Sequence, residues 1–261
     1  MDLGLGGKRA LVTGASKGIG LAVARRLVAE GAVVVGGSRQ SSEEFDSLRQ
    51  DGEVTHVVVD LTEEKGPSQL VEAAESGGPI DILVNNAGAV TPRLDGFLSV
   101  TDEQWATTMA LTFMAAVRTT RAVLPHMIAR GGGSIVNNAS VNATLPDPLV
   151  IDYGTAKAAL ANFSKALSKE VGPHGIRVNA VSAGPVSTGL WLGAHGVAAS
   201  VSAAQNANPN DVAHEAVKDT ATGRFTTPEE VADLIVFLAS TRISNVTGAN
   251  YLIDGGLTQS L

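Results

Sequence analysis

Seven short apolar runs alternate with longer stretches of helical pattern along this 261-residue chain, and that alternation limits its fold more than any other feature. The runs lie at 9–13, 33–36, 54–59, 80–84, 134–137, 177–181 and 250–253. Several are β-branched with little polar alternation, the pattern of strands covered on both faces. Helical pattern fills 18–30, 63–76, 102–130, 153–171 and 228–239. Strand followed by helix, repeated, predicts βαβ units and an α/β fold. Two helices have legible starts. Thr101 with Gln104, and Thr227 with Glu230, match the capping-box spacing, and Pro228 takes the first helical position. There is no internal repeat, low-complexity tract or linker, so residues 1–261 are expected to form one domain.

Composition narrows the function classes. Hydrophobic residues make up 44% of the chain but aromatics only 4%, so the core must be built from Ala, Val, Leu and Ile. Without cysteine there is no disulfide, thiolate nucleophile or cysteine zinc site. The five histidines (His56, His126, His174, His195 and His214) are scattered without ligand spacing, so no metal site is expected. A balance of 19 basic against 26 acidic side chains, net −7, with no dense basic run, argues against nucleic acid. No run of 18 apolar residues occurs, and residues 1–8 lack the apolar stretch of a signal peptide. The expectation is a soluble cytoplasmic protein without a membrane span.

One segment breaks the rhythm. Residues 186–225, rich in Ala, Gly, Ser and Asn, separate a strand from the capped helix at Pro228. Connections that long are usually functional or disordered. Weak helical pattern at 194–204 and 211–220 points to a substrate lid. At its start, Leu190, Trp191 and Leu192 either line an apolar pocket or pack the lid onto the body.

Thr13-Gly14-Ala15-Ser16-Lys17-Gly18-Ile19-Gly20 follows the first strand and opens the first helix. Glycines at 14, 18 and 20 permit positive φ, close backbone approach to a ligand and tight helix–strand packing. The helix that follows offers unpaired N–H groups and the positive end of its dipole to a pyrophosphate. The alternative is a glycine-rich turn with no ligand. About one strand later, an acidic residue would mark NAD by accepting from its ribose hydroxyls. Here the second strand ends in Gly36-Gly37-Ser38-Arg39, with no carboxylate before Glu43. A guanidinium at Arg39, with Lys17 as a second charge, favours a 2′-phosphate and therefore NADP(H), unless both are solvated surface charges.

Tyr153 and Lys157 are four apart in a helical segment and so share one face. A nearby ammonium favours tyrosinate, which would lower the phenol pKa from its usual value of about 10 and suit general acid/base work on a carbonyl oxygen. Tyr153 is one of two tyrosines in the chain, and Ser140 lies thirteen residues earlier, just past an expected strand.

Together, Thr13-Gly14…Gly18-Ile19-Gly20, Asn85-Asn86-Ala87-Gly88, Ser140, Tyr153 and Lys157 resemble the short-chain dehydrogenase/reductase family, from Gly7 to the closing Asp254-Gly255-Gly256. The resemblance implies a doubly wound, Rossmann-type, seven-stranded parallel sheet with helices on both faces. It implies an oxidoreductase moving a hydride between NADP(H) and a small carbonyl or secondary alcohol substrate. Ser140 would polarise the carbonyl, Tyr153 would move the proton, and Lys157 would bind the nicotinamide ribose and lower the tyrosine pKa. The cofactor would be held by Gly14, Ser16, Lys17, Gly18, Ile19, Gly20, Ser38 and Arg39, together with Tyr153 and Lys157. Asp60 and Leu61 match the adenine-contacting pair, and Asn86, Ala87 and Gly88 match the motif beside the cofactor. Gly184, Val186 and Thr188 match positions near the nicotinamide carboxamide. A homotetramer is also implied, with 102–130 and 153–171 pairing across a two-fold axis. On the second of these, Ala156, Ala159, Leu160, Phe163 and Leu167 recur near helical period.

Within the family, the chain looks most like 3-oxoacyl-carrier-protein reductases and related ketone and alcohol reductases. The enoyl-reductase branch places its lysine further along the helix, and the sugar-epimerase branch has longer chains. Two positions depart from the family pattern. The Asn that usually links the lysine to solvent through a water is missing: Thr112 stands there, and no Asn occurs from Ala89 to Val136. The Pro-Gly after the sixth strand reads Ala183-Gly184, followed by Pro185. The first departure motivates an alternative reading, a cofactor-binding regulatory or scaffold protein with weakened catalysis. Intact Ser140, Tyr153 and Lys157 count against it.

Overall fold

The computed structural model describes residues 2–259. All seven expected strands form: β1 (Arg9–Thr13), β2 (Val33–Ser38), β3 (Val54–Val58), β4 (Ile82–Asn85), β5 (Gly133–Asn138), β6 (Ile176–Ala183) and β7 (Asn250–Ile253). They make one parallel sheet in the order β3-β2-β1-β4-β5-β6-β7. The order reverses between β1 and β4, and at such a switch point a doubly wound sheet opens a crevice past its carboxyl ends.

The helices in chain order are α1 (Gly18–Ala29), α2 (Glu43–Ser47), α3 (Gly66–Glu75), α4 (Asp102–Met109), α5 (Ala115–Arg130), α6 (Ile151–Val171), α7 (Gly189–Leu192), α8 (Val197–Gln205), α9 (Pro209–Glu215) and α10 (Pro228–Ala239). They cover both faces. Val12, Val34, Val84, Val136 and Val181 point to one side, where α1 and α10 pack. Leu11, Val35, Leu83, Ile135 and Val178 point to the other, against α3, α5 and α6. Strand neighbours alternate sides, so most positions in these runs have a core to enter, and the polar residues buried among them, such as Asn85 and Asn137, are hydrogen-bonded. Each such side chain removed from water contributes about 1.5–3 kcal/mol.

Both expected capping boxes are present, with reciprocal bonds between Thr101 and Gln104 and between Thr227 and Glu230. Other expectations shift. The helix expected over 102–130 is broken by a π turn at Ala110–Met114. The one expected from 63 begins at Gly66, where a Cβ would meet the Asp60 carbonyl oxygen at 2.0 Å, so that only glycine fits the helix against that loop. The α2 turn, capped by Ser42 on Phe45 N–H, was not expected, since five residues are too few to show a period. The weak pattern in 186–225 resolves into α7, α8 and α9, somewhat displaced from 194–204 and 211–220. The two ends of this excursion meet: Ser187 N–H donates to Thr226 O at 2.9 Å, and Thr226 N–H to Pro185 O at 3.0 Å. Of the apolar face expected on α6, Ala156, Leu160 and Leu167 are buried inside the protomer, while Ala159 and Phe163 remain partly exposed.

Candidate active site

The turn after β1 is built for close approach. Gly14 and Gly18 have φ of +66° and +55°, a region costly for residues with a Cβ. A Cβ on Gly20 would stand 2.1 Å from the Gly14 carbonyl oxygen, so the glycine lets α1 rest directly on the loop. Lys17 precedes α1 without a side-chain capping bond, which leaves first-turn N–H groups facing the crevice without a side-chain cap. Ile19 packs against the core, while Ser16 and Lys17 lie at the surface of the loop, partly exposed and exposed respectively. A Cβ on Gly18 would come within 3.4 Å of the Thr188 methyl, so the loop and the start of the 186–225 excursion face each other across the crevice.

A ladder of asparagines fixes the floor of this crevice. Asn85 and Asn137 are register partners at the ends of β4 and β5. The Asn85 amide donates to Asn137 Oδ1 at 2.8 Å, and Asn137 donates onward to Ser164 of α6 at 2.7 Å. One residue on, the side chains switch faces, and Asn138 Nδ2 donates to Asn86 Oδ1 at 2.9 Å. Asn86 Nδ2 in turn reaches the carbonyls of Thr13 and Gly14, both at 3.1 Å. The Thr13 hydroxyl accepts from the N–H groups of Asn86 and Ala87. Thr13 and Asn85 entered the sequence reading only as members of their motifs, and Asn137 and Asn138 not at all. The signal was the Asn-Asn pair repeated at the ends of two strands, Asn85-Asn86 and Asn137-Asn138.

Three candidate catalytic residues converge beside that floor. Ser140 caps the start of the turn after β5, and Tyr153 and Lys157 lie on the first turns of α6. The Lys157 ammonium sits 5.6 Å from the centre of the Tyr153 ring and donates to the Asn138 carbonyl. A side chain on Gly88 would face both the Lys157 Nζ, at 3.7 Å, and the Thr112 hydroxyl, at 3.8 Å. Burial pushes the Tyr153 phenol up to about 12, against the opposing pull of the Ser140 hydroxyl beside it. Burial also pushes the Lys157 ammonium down to about 8. The sequence-based expectation that the lysine lowers the tyrosine pKa does not hold in this structure. The ammonium lies over the ring and bonds to a carbonyl, so desolvation decides both shifts.

The lysine shift has a measurable consequence. Folded Lys157 gives up its proton near pH 8, whereas in the unfolded chain it does so near 10.5. Between those values the unfolded state binds more protons, so stability rises with pH, by about 3 kcal/mol in total. Urea unfolding at pH 7 and pH 10.5 is expected to show this rise in wild type relative to Lys157→Met, which lacks the titrating group. Parallel pH dependences in the two proteins would contradict the assignment.

Two further features surround the trio. Asp152, buried next to Tyr153, accepts from Arg93 Nε at 3.2 Å, from the Arg93 terminal nitrogen, from Thr108 at 2.7 Å and from the Tyr153 N–H at 3.0 Å. Burial opposes its ionisation, but the Arg93 and Thr108 hydrogen bonds, with the Arg93 charge, outweigh burial and hold the carboxyl below its usual value. Thr112, buried in the π turn, has a hydroxyl without a hydrogen-bond partner in the protein. It lines a cleft of about 350 Å³ with Ala89, Arg93, Gln104, Thr108 and Leu111. In place of the missing asparagine, a buried and unpartnered Thr112 hydroxyl stands beside this cleft, on the Lys157 side of the site.

At the far end of the crevice, the Ser38 hydroxyl donates to Gln40 O at 2.8 Å and contacts His56 Nε2 at 2.8 Å. Arg39 is exposed and forms no ion pair among the described residues, though its charge is felt by Asp60. Hydrogen bonds from the Thr62 hydroxyl and N–H hold Asp60 below its usual pKa, and Leu61 is buried beside it. Ala183 is buried at the end of β6, and Gly184 lies so close to β7 that a Cβ would meet Asp254 Cα at 2.9 Å. Val186 is buried, and Trp191 stacks edge-on against Phe225, while Leu190 and Leu192 remain exposed. The three residues at the start of the excursion thus divide, the tryptophan packing within it and the leucines facing out.

These features suit a dinucleotide: a glycine cradle over a helix start without a side-chain cap, a crevice at the switch point, and a glycine beside the buried lysine. A family model described as enoyl-(acyl carrier protein) reductase matches residues 14–258. The fold superposes with a TM-score of 0.92 on L-sorbose reductase from Gluconobacter frateurii, solved with NADPH and L-sorbose. That protein is 37% identical, with 100% of both chains covered. L-xylulose reductase of Mus musculus is 37% identical, covering 98% of each chain. The 3-oxoacyl-[acyl-carrier-protein] reductase of Thermotoga maritima is 35% identical, covering 97% of this chain and 98% of its own. The chain belongs to the short-chain dehydrogenase/reductase family. It is accordingly a nicotinamide-dependent oxidoreductase acting on carbonyl or alcohol groups. No helix among the described residues is long and apolar enough to cross a membrane.

Proposed function

We propose that the protein is an NADP(H)-dependent reductase of small free ketones, running in reverse on secondary alcohols, with Ser140, Tyr153 and Lys157 as its catalytic group. The observation that carries this reading is the convergence of Ser140 on the Tyr153 phenol, with Lys157 over the tyrosine ring, at the carboxyl end of the sheet. When bound, the reduced nicotinamide supplies the hydride for the carbonyl carbon. Ser140 donates a hydrogen bond to the carbonyl oxygen, and Tyr153 gives that oxygen its proton. With its pKa near 12, the phenol is protonated at neutral pH and ready to act as an acid. Lys157 would hold the nicotinamide ribose, and Asn86, Ala87 and Gly88 would border it. Gly14, Ser16, Gly18, Ile19 and Gly20 would cradle the pyrophosphate, Asp60 and Leu61 the adenine, and Gly184, Val186 and Thr188 the carboxamide.

A free ketone is favoured over an acylated carrier protein because the 186–225 excursion offers only Lys218 and Arg224 as cations. Both are already engaged, Lys218 with Glu215 and Arg224 with Glu230. The relatives named for L-sorbose and L-xylulose point the same way. The same reading includes one domain with a lid at 186–225, a cytoplasmic location and a homotetramer. The regulatory alternative rests on Thr112, and NADPH oxidation with a panel of ketones, diketones and acetoacetyl thioesters tests it: NADPH binding without turnover on any of them would favour it.

Cofactor choice is a separate expectation. An exposed, unpaired Arg39 beside Ser38 suits a 2′-phosphate. Ser38→Asp with Arg39→Ala is expected to weaken NADPH binding by roughly 10–150-fold, the value of a hydrogen bond to a charged group, and to favour NADH. Fluorescence titration of both cofactors checks it. Equal affinity of the unmodified protein for NADH and NADPH would rule this reading out.

A further inference from the structure

Asn142 stands where no part of the Ser140, Tyr153 and Lys157 chemistry needs a side chain, yet every polar group it carries is aimed. It lies in the turn Val141–Ala143, directly after Ser140. Its backbone N–H donates to Ser140 Oγ at 3.2 Å. Its side-chain oxygen accepts the Ser140 hydroxyl at 3.2 Å, and its amide nitrogen donates to Leu145 O at 3.3 Å. The bond to Leu145 fixes which way the amide faces, oxygen toward the serine and nitrogen away from it. Gly154 follows Tyr153 on α6, and a Cβ there would crowd Asn142, 3.3 Å from its carbonyl oxygen and 3.7 Å from its Cβ. The glycine thus lets Asn142 lie against the same helical turn that presents the tyrosine.

Ser140 cannot keep this arrangement while it works. A single hydroxyl proton serves either the Asn142 oxygen or an incoming carbonyl. When the carbonyl takes it, the Asn142 N–H still holds the serine oxygen, but Asn142 Oδ1 loses its donor. A substrate now covers that oxygen, and an acceptor shut off from water without a partner disfavours the complex. A donor on the substrate removes the penalty. Both the carbonyl oxygen and Asn142 Oδ1 lie about 3 Å from Ser140 Oγ, the ordinary length of such bonds, so the donor must sit close to the carbonyl. A hydroxyl on the neighbouring carbon meets that requirement.

We propose that Asn142 recognises a hydroxyl adjacent to the reacting carbonyl, so that the substrates are α-hydroxy ketones and the products vicinal diols. This rests on the carbonyl-reductase reading of the same site. In the reaction the carbonyl carbon gains the hydride lost by the reduced nicotinamide, and the carbonyl oxygen gains the Tyr153 proton. The α-hydroxyl keeps its own proton and only donates it in a hydrogen bond to Asn142 Oδ1.

Hydroxyacetone and methoxyacetone make the test, because both carry an oxygen beside the ketone and only the first carries a donor. Wild type is expected to prefer hydroxyacetone by roughly 10–100-fold in kcat/KM, the range for one unpaired polar group at a partly exposed position. Asn142→Leu should collapse that ratio to within about threefold by losing hydroxyacetone selectively, whereas Asn142→Asp, which retains an acceptor, should keep it. Thermal melting and NADPH fluorescence report whether each variant is folded. A wild-type ratio near one overturns the proposal without any variant. So does an Asn142→Leu protein that loses both substrates equally, since that is the signature of a residue that only positions Ser140. If wild type turns over methoxyacetone and simple diketones but shows no preference for hydroxyacetone, Asn142 is misassigned while the reductase reading stands. If it binds NADPH and reduces no carbonyl at all, the reductase reading fails and this proposal falls with it.

Discussion

Tyr153→Phe is expected to lower kcat/KM for ketone reduction by about 10²–10⁴-fold while leaving NADPH affinity nearly unchanged. The size is that of general acid catalysis lost when its proton donor is removed. The selectivity follows from geometry. Phenylalanine keeps the ring under the Lys157 ammonium, 5.6 Å from its centre, so the cation still rests on an aromatic face. Lys157 also keeps its bond to the Asn138 carbonyl, which depends on α6 and β5 and not on the phenol. Only the proton and its oxygen are lost. Single-turnover kinetics with NADPH in excess isolates the chemical step from product release. Near-normal turnover in the purified variant would remove Tyr153 from the proposed mechanism, and a parallel loss of NADPH binding would assign its hydroxyl to holding the cofactor instead.

Asp152→Asn is expected to cost about 3–5 kcal/mol of stability, because it leaves Arg93 charged, buried and without its carboxylate. For a chain of this size that corresponds to a fall in Tm on the order of 10 °C. The pair is well enclosed, with side-chain exposures of 8% for Arg93 and 1% for Asp152, so solvent offers little relief. Surface pairs such as Lys218–Glu215 carry no such expectation. Removing both charges tests the cause: Arg93→Met with Asp152→Leu should be less destabilised than Asp152→Asn alone. Additive losses would show that packing, not the unpaired charge, sets the cost. The pH dependence has a definite sign. The folded pKa of Asp152 is depressed, so its contribution is present above the unfolded value of about 3.9 and is lost as pH falls through the folded one. The same cluster ties the loop at Arg93 and the α4 residue Thr108 to the first turn of α6. Its loss should therefore loosen Tyr153 as well as the fold, visible as a fall in kcat at temperatures where the variant remains folded.

What the sequence determined by itself is what short-range physics determines. Strands such as 9–13 and 33–36 are legible because residues buried on both faces leave no room for polar alternation. The two capping boxes are legible because cap and partner are three residues apart. The glycine turn at Gly14–Gly20 and the Tyr153–Lys157 pair are also local, one set by backbone conformation and the other by helical spacing. Tertiary structure decided the rest. Arg93, Thr108 and Asp152 meet only because three separate segments fold onto one another, and no spacing in the chain announces it. No local pattern marks Asn142, whose seat against α6 depends on the absence of a Cβ at Gly154. The direction of the Tyr153 shift reversed for the same reason. A helical offset of four says that a lysine is near, but only the packed structure says how far both groups are withdrawn from water and that the ammonium spends its bond on Asn138. Desolvation depends on everything around a group, and a sequence records only its neighbours along the chain.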